Sequence, residues 1–335
     1  MLKTDKIDFV ITWVDRTDEK WIQEKMKYET KNPGDNGIHR YRDWENLRYW
    51  FRGVEKYAPW VNKIHFVTCG QVPNWLNVNH PKINIVNHKD YIPEKYLPTF
   101  NSNVIELNFH RIPEISEQFV YFNDDVFLIR PVKPEDYFKK GLPCDMLAFQ
   151  PIVVKPENPL MAYIFLNNTA VLAKHFDKRK NIKAQPFRYF KPGYPLLYLF
   201  YNILEYAFPL FTGFYTVHGA APFRKKSYEQ LWEKENAILT QTCSHKFRNK
   251  DDVNQYLIRE WQKLKGEFSA QNIKKDFRYF EVQENNTKLV HTIINQKVKT
   301  ICFNDTNSAI EVDKVKEELV QAFQMILPEK SQFEL

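Results

Sequence analysis

Glycine and cysteine are both scarce in this chain, and each shortage removes a group of functions. Nine glycines among 335 residues include no glycine-rich phosphate loop: GxGxxG, GxxxxGK(S/T) and GxSxG are all absent. That argues against dinucleotide oxidoreductases, P-loop NTPases and α/β-hydrolases. The four cysteines, Cys69, Cys144, Cys243 and Cys302, are scattered, with no CxxC pair and no His-Cys spacing that would close a zinc site. They read as reduced thiols of a cytoplasmic protein. Long apolar runs are missing as well. The start, Met1 to Ile7, lacks the unbroken apolar stretch of a secretory signal. Pro195 to Val217 is apolar and aromatic but is interrupted by Asn202, Glu205, Pro209 and Gly213. A membrane span needs about 20 continuous apolar residues, so this segment is expected to be a buried helix pair or a surface-lying stretch. No internal repeat is found.

What the chain does hold is aromatic weight, 16% of residues, and a formal charge of +7. The first argues for a globular protein. Much of the second is concentrated between Lys174 and Lys191, where seven Lys or Arg face a single Asp. Such a patch suits phosphorylated or anionic partners, or is a solvated face.

The first 130 residues alternate strand and helix signals. Asp8 to Val14 is β-branched and aromatic and ends at Asp15, while Lys63 to Thr68, Ile83 to Val86 and Phe119 to Phe122 repeat the strand pattern. Between them, Trp44, Leu47, Phe51 and Val54 recur at helical spacing before Pro59, and Thr99 or Asn101 can cap a helix through Ile105 toward Ile112. This alternation predicts an α/β fold with a mostly parallel sheet covered by helices on both faces. Residues 131–215 are Pro-rich and irregular; helices are expected over 227–239, 251–265 and 312–326, and a strand at Thr300 to Phe303.

In such sheets ligands bind beyond the carboxyl ends of the strands, and acidic groups gather there. Phe119 to Phe122 stops at Asn123-Asp124-Asp125, and Thr300 to Phe303 stops at Asn304-Asp305. Two carboxylates about 4 Å apart repel by roughly 4 kcal/mol at an effective dielectric near 20, which a cation between them relieves. Acidic residues after strands also commonly cap a turn, but two such edges favour a shared site, and their oxygen donors suit Mg2+ or Mn2+. His218, in a loop between Val217 and Gly219 and shortly before Arg224, Lys225 and Lys226, is either structural or a base near phosphate. Arg248 can fork onto a phosphate or pair at the surface with the acidic Asp251 and Asp252.

Four ordered blocks carry a family resemblance. They are Asp8 to Asp15; Arg42 through Leu47-Arg48-Tyr49, Gln71-Val72-Pro73-Asn74-Trp75-Leu76 and Leu97 to Ser102 to Phe122-Asn123-Asp124-Asp125; the surroundings of His218 on to Phe247-Arg248; and Ile301 to Asp305 with the closing Pro328 to Glu334. In these the chain resembles the Stealth proteins, sugar-phosphate transferases of bacterial capsules and cell-wall polysaccharides. One departure stands out: the family's first block continues Asp-Gly-x-Asp-Pro, whereas here it reads Asp15-Arg16-Thr17-Asp18-Glu19. The resemblance implies a glycosyltransferase-A-like core and transfer of a sugar 1-phosphate from a nucleotide-diphosphate sugar to a hydroxyl of a lipid-linked or polymeric glycan. A phosphodiester forms and a nucleoside monophosphate leaves; the alternative is a conventional glycosyltransferase that releases a nucleoside diphosphate. It also implies site roles: Asp15, Arg42, Asn101, Ser102 and Asn304 toward the nucleotide-sugar, Asp124, Asp125 and Asp305 toward a divalent metal, and His218, Arg248 and Asp125 in catalysis. The expected division is a nucleotide-sugar-binding half over 1–130, an irregular or helical insertion on the acceptor side over 131–225, and a part completing the active site over 226–335. No nucleic-acid partner is expected, and a cytoplasmic location is; the basic and apolar segments either associate peripherally with the inner face of the plasma membrane or are, respectively, a contact for phosphates of the growing polymer and a core helix.

Overall fold

The core strands are apolar along nearly their whole length, the pattern of a sheet covered on both faces. In a computed structural model, which describes residues 6–29, 44–156, 158–305 and 310–335, β1 (Ile7–Thr12) lies between β2 (Ile64–Thr68) and β4 (Gln118–Phe122), parallel to both. β3 (Ile83–Asn87) adds outside β2, and Ala221–Arg224 closes the other edge antiparallel to β4. The register sets Ile11 opposite Phe122. The loops after β1 and β4 therefore leave the same edge side by side.

Asp8 is the polar exception in β1, fully buried near the opposite end. His65 Nε2 (3.1 Å), Asn62 Nδ2 (2.6 Å) and the Ser116 amide (2.7 Å) satisfy its carboxylate. Burial would raise its pKa, but these partners hold it below the usual range. It is a structural acid.

One sheet face is covered by the Leu47–Tyr57 helix, whose Trp50 and Phe51 pack on Phe122 and Phe66 at 5.6 and 5.9 Å between rings. Gly53 allows that approach, since a Cβ there would stand 2.9 Å from the Leu128 carbonyl. A second sheet follows: β5 (Val126–Leu128) pairs antiparallel with Thr300–Asn304, which pairs parallel with Phe277–Glu281. Only three residues separate β4 from β5, so this pairing carries Asn304-Asp305 to the Asp124-Asp125 edge.

The α/β architecture with a mostly parallel sheet is as expected, and several details differ. The described residues of 131–215 hold the helices Leu160–His175, Lys178–Ala184 and Leu196–Ala207 and two single turns, Pro134–Tyr137 and Pro186–Tyr189, rather than an irregular stretch. Proline marks their ends, as at Pro159, Pro186 and Pro195, and does not interrupt them. The segment expected over 227–239 is two helices, Lys225–Lys234 and Asn236–Ser244. One buried cluster joins β1 to Phe303, Phe323 and Phe333, and another joins Val10 and Phe119 to Leu147, Leu231 and Trp261. The cores thus run across the expected divisions at 130 and 225. All four cysteines are free thiols. Among the described residues no helix is long and apolar enough to cross a membrane.

Candidate active site

The β1 loop folds on its own side chains. Asp15 Oδ1 accepts from the Thr17 amide (2.8 Å) and hydroxyl (2.6 Å), while Asp18 caps the Glu19–Tyr28 helix. Gln71 clamps the loop, accepting from the Asp15 amide at 2.7 Å and donating to the Asp15 carbonyl and the Asp18 carboxylate. An Asx turn and a glutamine brace therefore shape the loop where the family carries Gly and Pro. Arg16 points across to Asp124, 3.9 Å away.

At the end of β4, Asp125 Oδ2 receives His218 Nε2 at 3.0 Å and the Cys302 thiol at 3.3 Å. Asp125 Oδ1 is buried and has no hydrogen-bond partner among the described residues. Asp124 is 46% accessible. Partial burial and the Asp125 charge push its pKa up and Arg16 opposes them, but at that exposure desolvation is incomplete and water screens both charges. The Phe303 amide donates to the Asp125 carbonyl at 3.1 Å, which fixes the two acidic edges together.

His218 stands in the loop before the closing strand. Its Nδ1 faces the Tyr256 hydroxyl at 3.1 Å and the Asn123 amide at 3.3 Å. Burial alone would depress its pKa; the Asp125 charge and hydrogen bond, helped by Glu106, outweigh that and hold it above the ordinary histidine value. A carboxylate on one ring nitrogen, with the other turned toward exchangeable polar partners, is the arrangement of an oriented general base.

Arg248 reaches the same space from another element. Its Nε and Nη2 donate to Ser102 Oγ at 3.1 and 2.6 Å. Of the two readings of Arg248, surface pairing with Asp251 or Asp252 does not occur. Asp252 is fully buried and accepts from Asn101 Nδ2 (2.8 Å), Asn103 Nδ2 (2.9 Å), the Asn249 amide (3.0 Å) and His245 Nδ1 (2.6 Å). This knot ties the Arg248 loop to the Ser102–Leu107 helix. Asn101 is also fully buried, capping that helix through the Asn103 amide and spending its own amide on the knot. Its side chain positions Ser102 and Arg248. Arg42 lies outside the described residues.

Residues that the sequence did not single out complete the network. Glu106 is buried on the helix face below Ser102, and Tyr121 donates to it at 3.3 Å and also to Asn123. Burial pushes the Glu106 carboxyl up to about 7, against the pull of Arg248 and His218. A chain of contacts thus runs from Arg248 through Ser102, Glu106, Tyr121 and Asn123 to His218. A glutamate at a core position of a helix was the one available signal. Tyr256 and Cys302 gave none, because one sits on an ordinary amphipathic helix and the other in an apolar strand.

For a metal, one set of donors converges here among the described residues. Asp125, His218 and Cys302 place ligand atoms within 4.8 Å of one another; burial and Asp125 raise the Cys302 thiol well above its ordinary pKa, and a thiol is a poor donor to a hard cation such as Mg2+. Asp124, Asp125 and Asp305, the ligands expected from the sequence, stand at the ends of neighbouring strands at this edge, but only Asp125 is among the donors that converge within 4.8 Å. The buried, unpartnered Oδ1 of Asp125 fits a hard cation.

Comparison with known proteins places this arrangement. "Stealth protein CR1, conserved region 1" matches residues 5–33 and "Stealth protein CR2, conserved region 2" matches residues 40–144. The chain is 41% identical to the capsular polysaccharide phosphotransferase WcwK of Streptococcus pneumoniae, over 100% of this chain and 99% of that protein. It belongs to the Stealth family. Other relatives of this Stealth chain are the exopolysaccharide phosphotransferase cps2G of Lactiplantibacillus plantarum, 39% identical over 98% of this chain and 96% of that one, and the receptor polysaccharide phosphotransferase WefC of Streptococcus gordonii, 37% identical over 99% of each. Among solved structures, a galactosyltransferase LgtC in complex with donor and acceptor sugar analogs aligns over 94% of this chain and 95% of that one, with TM-score 0.39 and 11% identity.

Proposed function

We propose that this Stealth protein transfers a sugar 1-phosphate from a nucleotide-diphosphate sugar to a hydroxyl of a growing capsular or other cell-surface polysaccharide. The observation that carries the reading is His218, oriented by Asp125 and set in one polar network with Arg248; full-length relatives named as polysaccharide phosphotransferases support it. The acceptor oxygen attacks the phosphorus that bears the sugar, the bond from that phosphorus to the bridging oxygen breaks, and a nucleoside monophosphate leaves. The bond to the anomeric carbon is untouched. His218 Nδ1 takes the acceptor proton, Asp125 holds the ring, and Tyr256 fixes the nitrogen that reacts. Arg248, held by Ser102, stabilises charge on the transferred phosphoryl group.

Asp15, Ser102 and Asn304 border the donor side, with Asn101 supporting Ser102 and Arg42 assigned there by its place in the family pattern. Asp124, Asp125 and Asp305 would hold a divalent cation, Mg2+ or Mn2+, which when bound offsets the negative charge of the diphosphate. The acceptor is a lipid-linked or polymeric glycan.

The test incubates the purified chain with nucleotide-sugars and a capsular acceptor and follows the nucleotide released and the phosphorus in the glycan. Nucleoside monophosphate and a phosphodiester are expected. His218→Ala and Arg248→Ala should each lower the rate by about 10²-fold or more, with Arg248→Lys rescuing only in part. Release of nucleoside diphosphate with a phosphorus-free product would make the chain a conventional glycosyltransferase.

A further inference from the structure

The Leu196–Ala207 helix is built inside out. Leu196, Leu197, Phe200, Ile203, Leu204 and Ala207 share one face by their spacing, and that face is turned to solvent: Leu196 is 83% exposed, Phe200 53% and Ile203 61%. The apolar surface continues through Phe208 and Leu210 and through Phe187 on the neighbouring turn, 85% exposed. The buried face carries Asn202 and Glu205 beside Tyr198. Asn202 is fully buried, accepting from the Phe149 amide at 2.8 Å and donating to the Tyr189 carbonyl at 2.7 Å. Glu205 is buried against Lys178 at 2.5 Å and accepts from Thr212. These bonds lock the helix in rotation, so the outward apolar face belongs to the fold. Isolated exposed leucines need no explanation, but a contiguous patch of this size marks an interaction surface.

We propose that this face docks on an anionic lipid bilayer. Charge complementarity selects that occupant. The Lys178–Ala184 helix lies against the patch through the Lys178 contacts with Glu205 and the Leu210 carbonyl, and it presents Arg179, Lys180 and Lys183 to solvent. Aromatic and aliphatic groups flanked by cations suit the interface of an acidic membrane. A second copy related by twofold symmetry would bring the same cations together.

The surface also leads to the chemistry. The 208–212 stretch beyond the helix pairs with the segment from Gln150 through Ile152 (Ile152 amide to Thr212 carbonyl, 3.3 Å). A cavity there is lined by Ile152, Val153, Phe165, Phe214, Thr216 and Tyr256. Val153, 70% exposed, opens its mouth to solvent, and Tyr256, also in its lining, bonds His218. Docking would set that mouth beside the bilayer, where a lipid-linked acceptor is met; only this last step rests on the proposed reaction.

The experiment is cosedimentation of the full chain with phosphatidylglycerol-containing and with pure phosphatidylcholine vesicles, at low and high salt. Salt-sensitive binding to the anionic vesicles alone is expected. Arg179→Gln, Lys180→Gln and Lys183→Gln together should weaken it by about 10²-fold, at about fivefold per cation. Leu197→Ser with Phe200→Ser should abolish it, with unchanged circular dichroism and unchanged turnover of a soluble acceptor. No binding by the wild type at low salt, binding undiminished in both variants, or a solution dimer that the serine variant dissociates would each overturn the proposal. A chain that binds vesicles yet releases nucleoside diphosphate would keep the docking surface and overturn the reaction instead.

Discussion

The Leu47–Tyr57 and Leu196–Ala207 helices both carry apolar residues at helical spacing and turn them in opposite directions. In the first, Leu47, Trp50, Phe51 and Val54 are buried on the sheet, and Arg52 reaches past them to Glu334 at 2.8 Å and the Leu327 carbonyl at 3.0 Å. In the second, Asn202 and Glu205 face inward and the leucines face out. A helical stripe read from sequence states that two faces exist. Which one is inside depends on where the polar face finds partners, and those partners, Phe149, Tyr189 and Lys178, lie 13 to 53 residues away along the chain.

The largest expected contrast follows directly. Trp50→Ala should cost about 3–5 kcal/mol by leaving a cavity between helix and sheet, whereas Phe200→Ala should change stability by no more than about 0.5 kcal/mol. Urea unfolding of the two variants under one set of conditions measures both. Equal losses would mean that the outward face of the second helix is covered in the folded protein.

Next comes the pair that fixes the inverted helix. Glu205→Ala leaves the Lys178 ammonium, 2% exposed, without its carboxylate, which should cost about 3–5 kcal/mol. Replacing both, Lys178→Met with Glu205→Leu, should recover most of that, because two apolar groups of similar size leave no buried charge. A double variant as unstable as the single would show that the Leu210 carbonyl and Thr212 contacts, and not the charges, hold the helix.

The two helices also mark how far the sequence could be read. β1 to β4, the helix over 47–57 and the strand at 300–304 were legible because their apolar periods match their environments. Asp124, Asp125, His218 and Arg248 stood out as polar residues at strand ends or in loops. Asn101 was legible as a helix cap, but its full burial was not, since that depends on Asp252 turning inward 151 residues later. Glu106 and Tyr256 were hidden because each sits on an otherwise ordinary helix, and only the meeting of three distant segments gives them a role. Residues 131–215 looked irregular because their prolines stand at helix ends.

Two buried histidines differ in their partners, and for the one without a partner on Nδ1 burial governs titration. His65 is fully buried between Asp8 and Asn84, with both ring nitrogens engaged. His110, 8% exposed, stacks near Tyr228 and Trp232 with its Nδ1 buried and without a hydrogen-bond partner. Burial lowers the His110 pKa to about 3, and the charges of Arg111 and Lys225 add to the effect. The unfolded value is near 6.5. Above that pH neither state carries the proton and His110 imposes no penalty. Below it the unfolded chain binds a proton that the folded chain refuses, so stability falls by about 1.4 kcal/mol per pH unit until the pH approaches the folded value. His110→Phe keeps an aromatic ring against Tyr228 and removes the titration. The variant's stability relative to wild type should therefore improve by about 2 kcal/mol between pH 7.5 and pH 5, read as the shift in urea midpoint at the two pH values. A difference independent of pH would show that the folded protein accepts the proton on His110, and that an unpartnered ring nitrogen there is no barrier to charge.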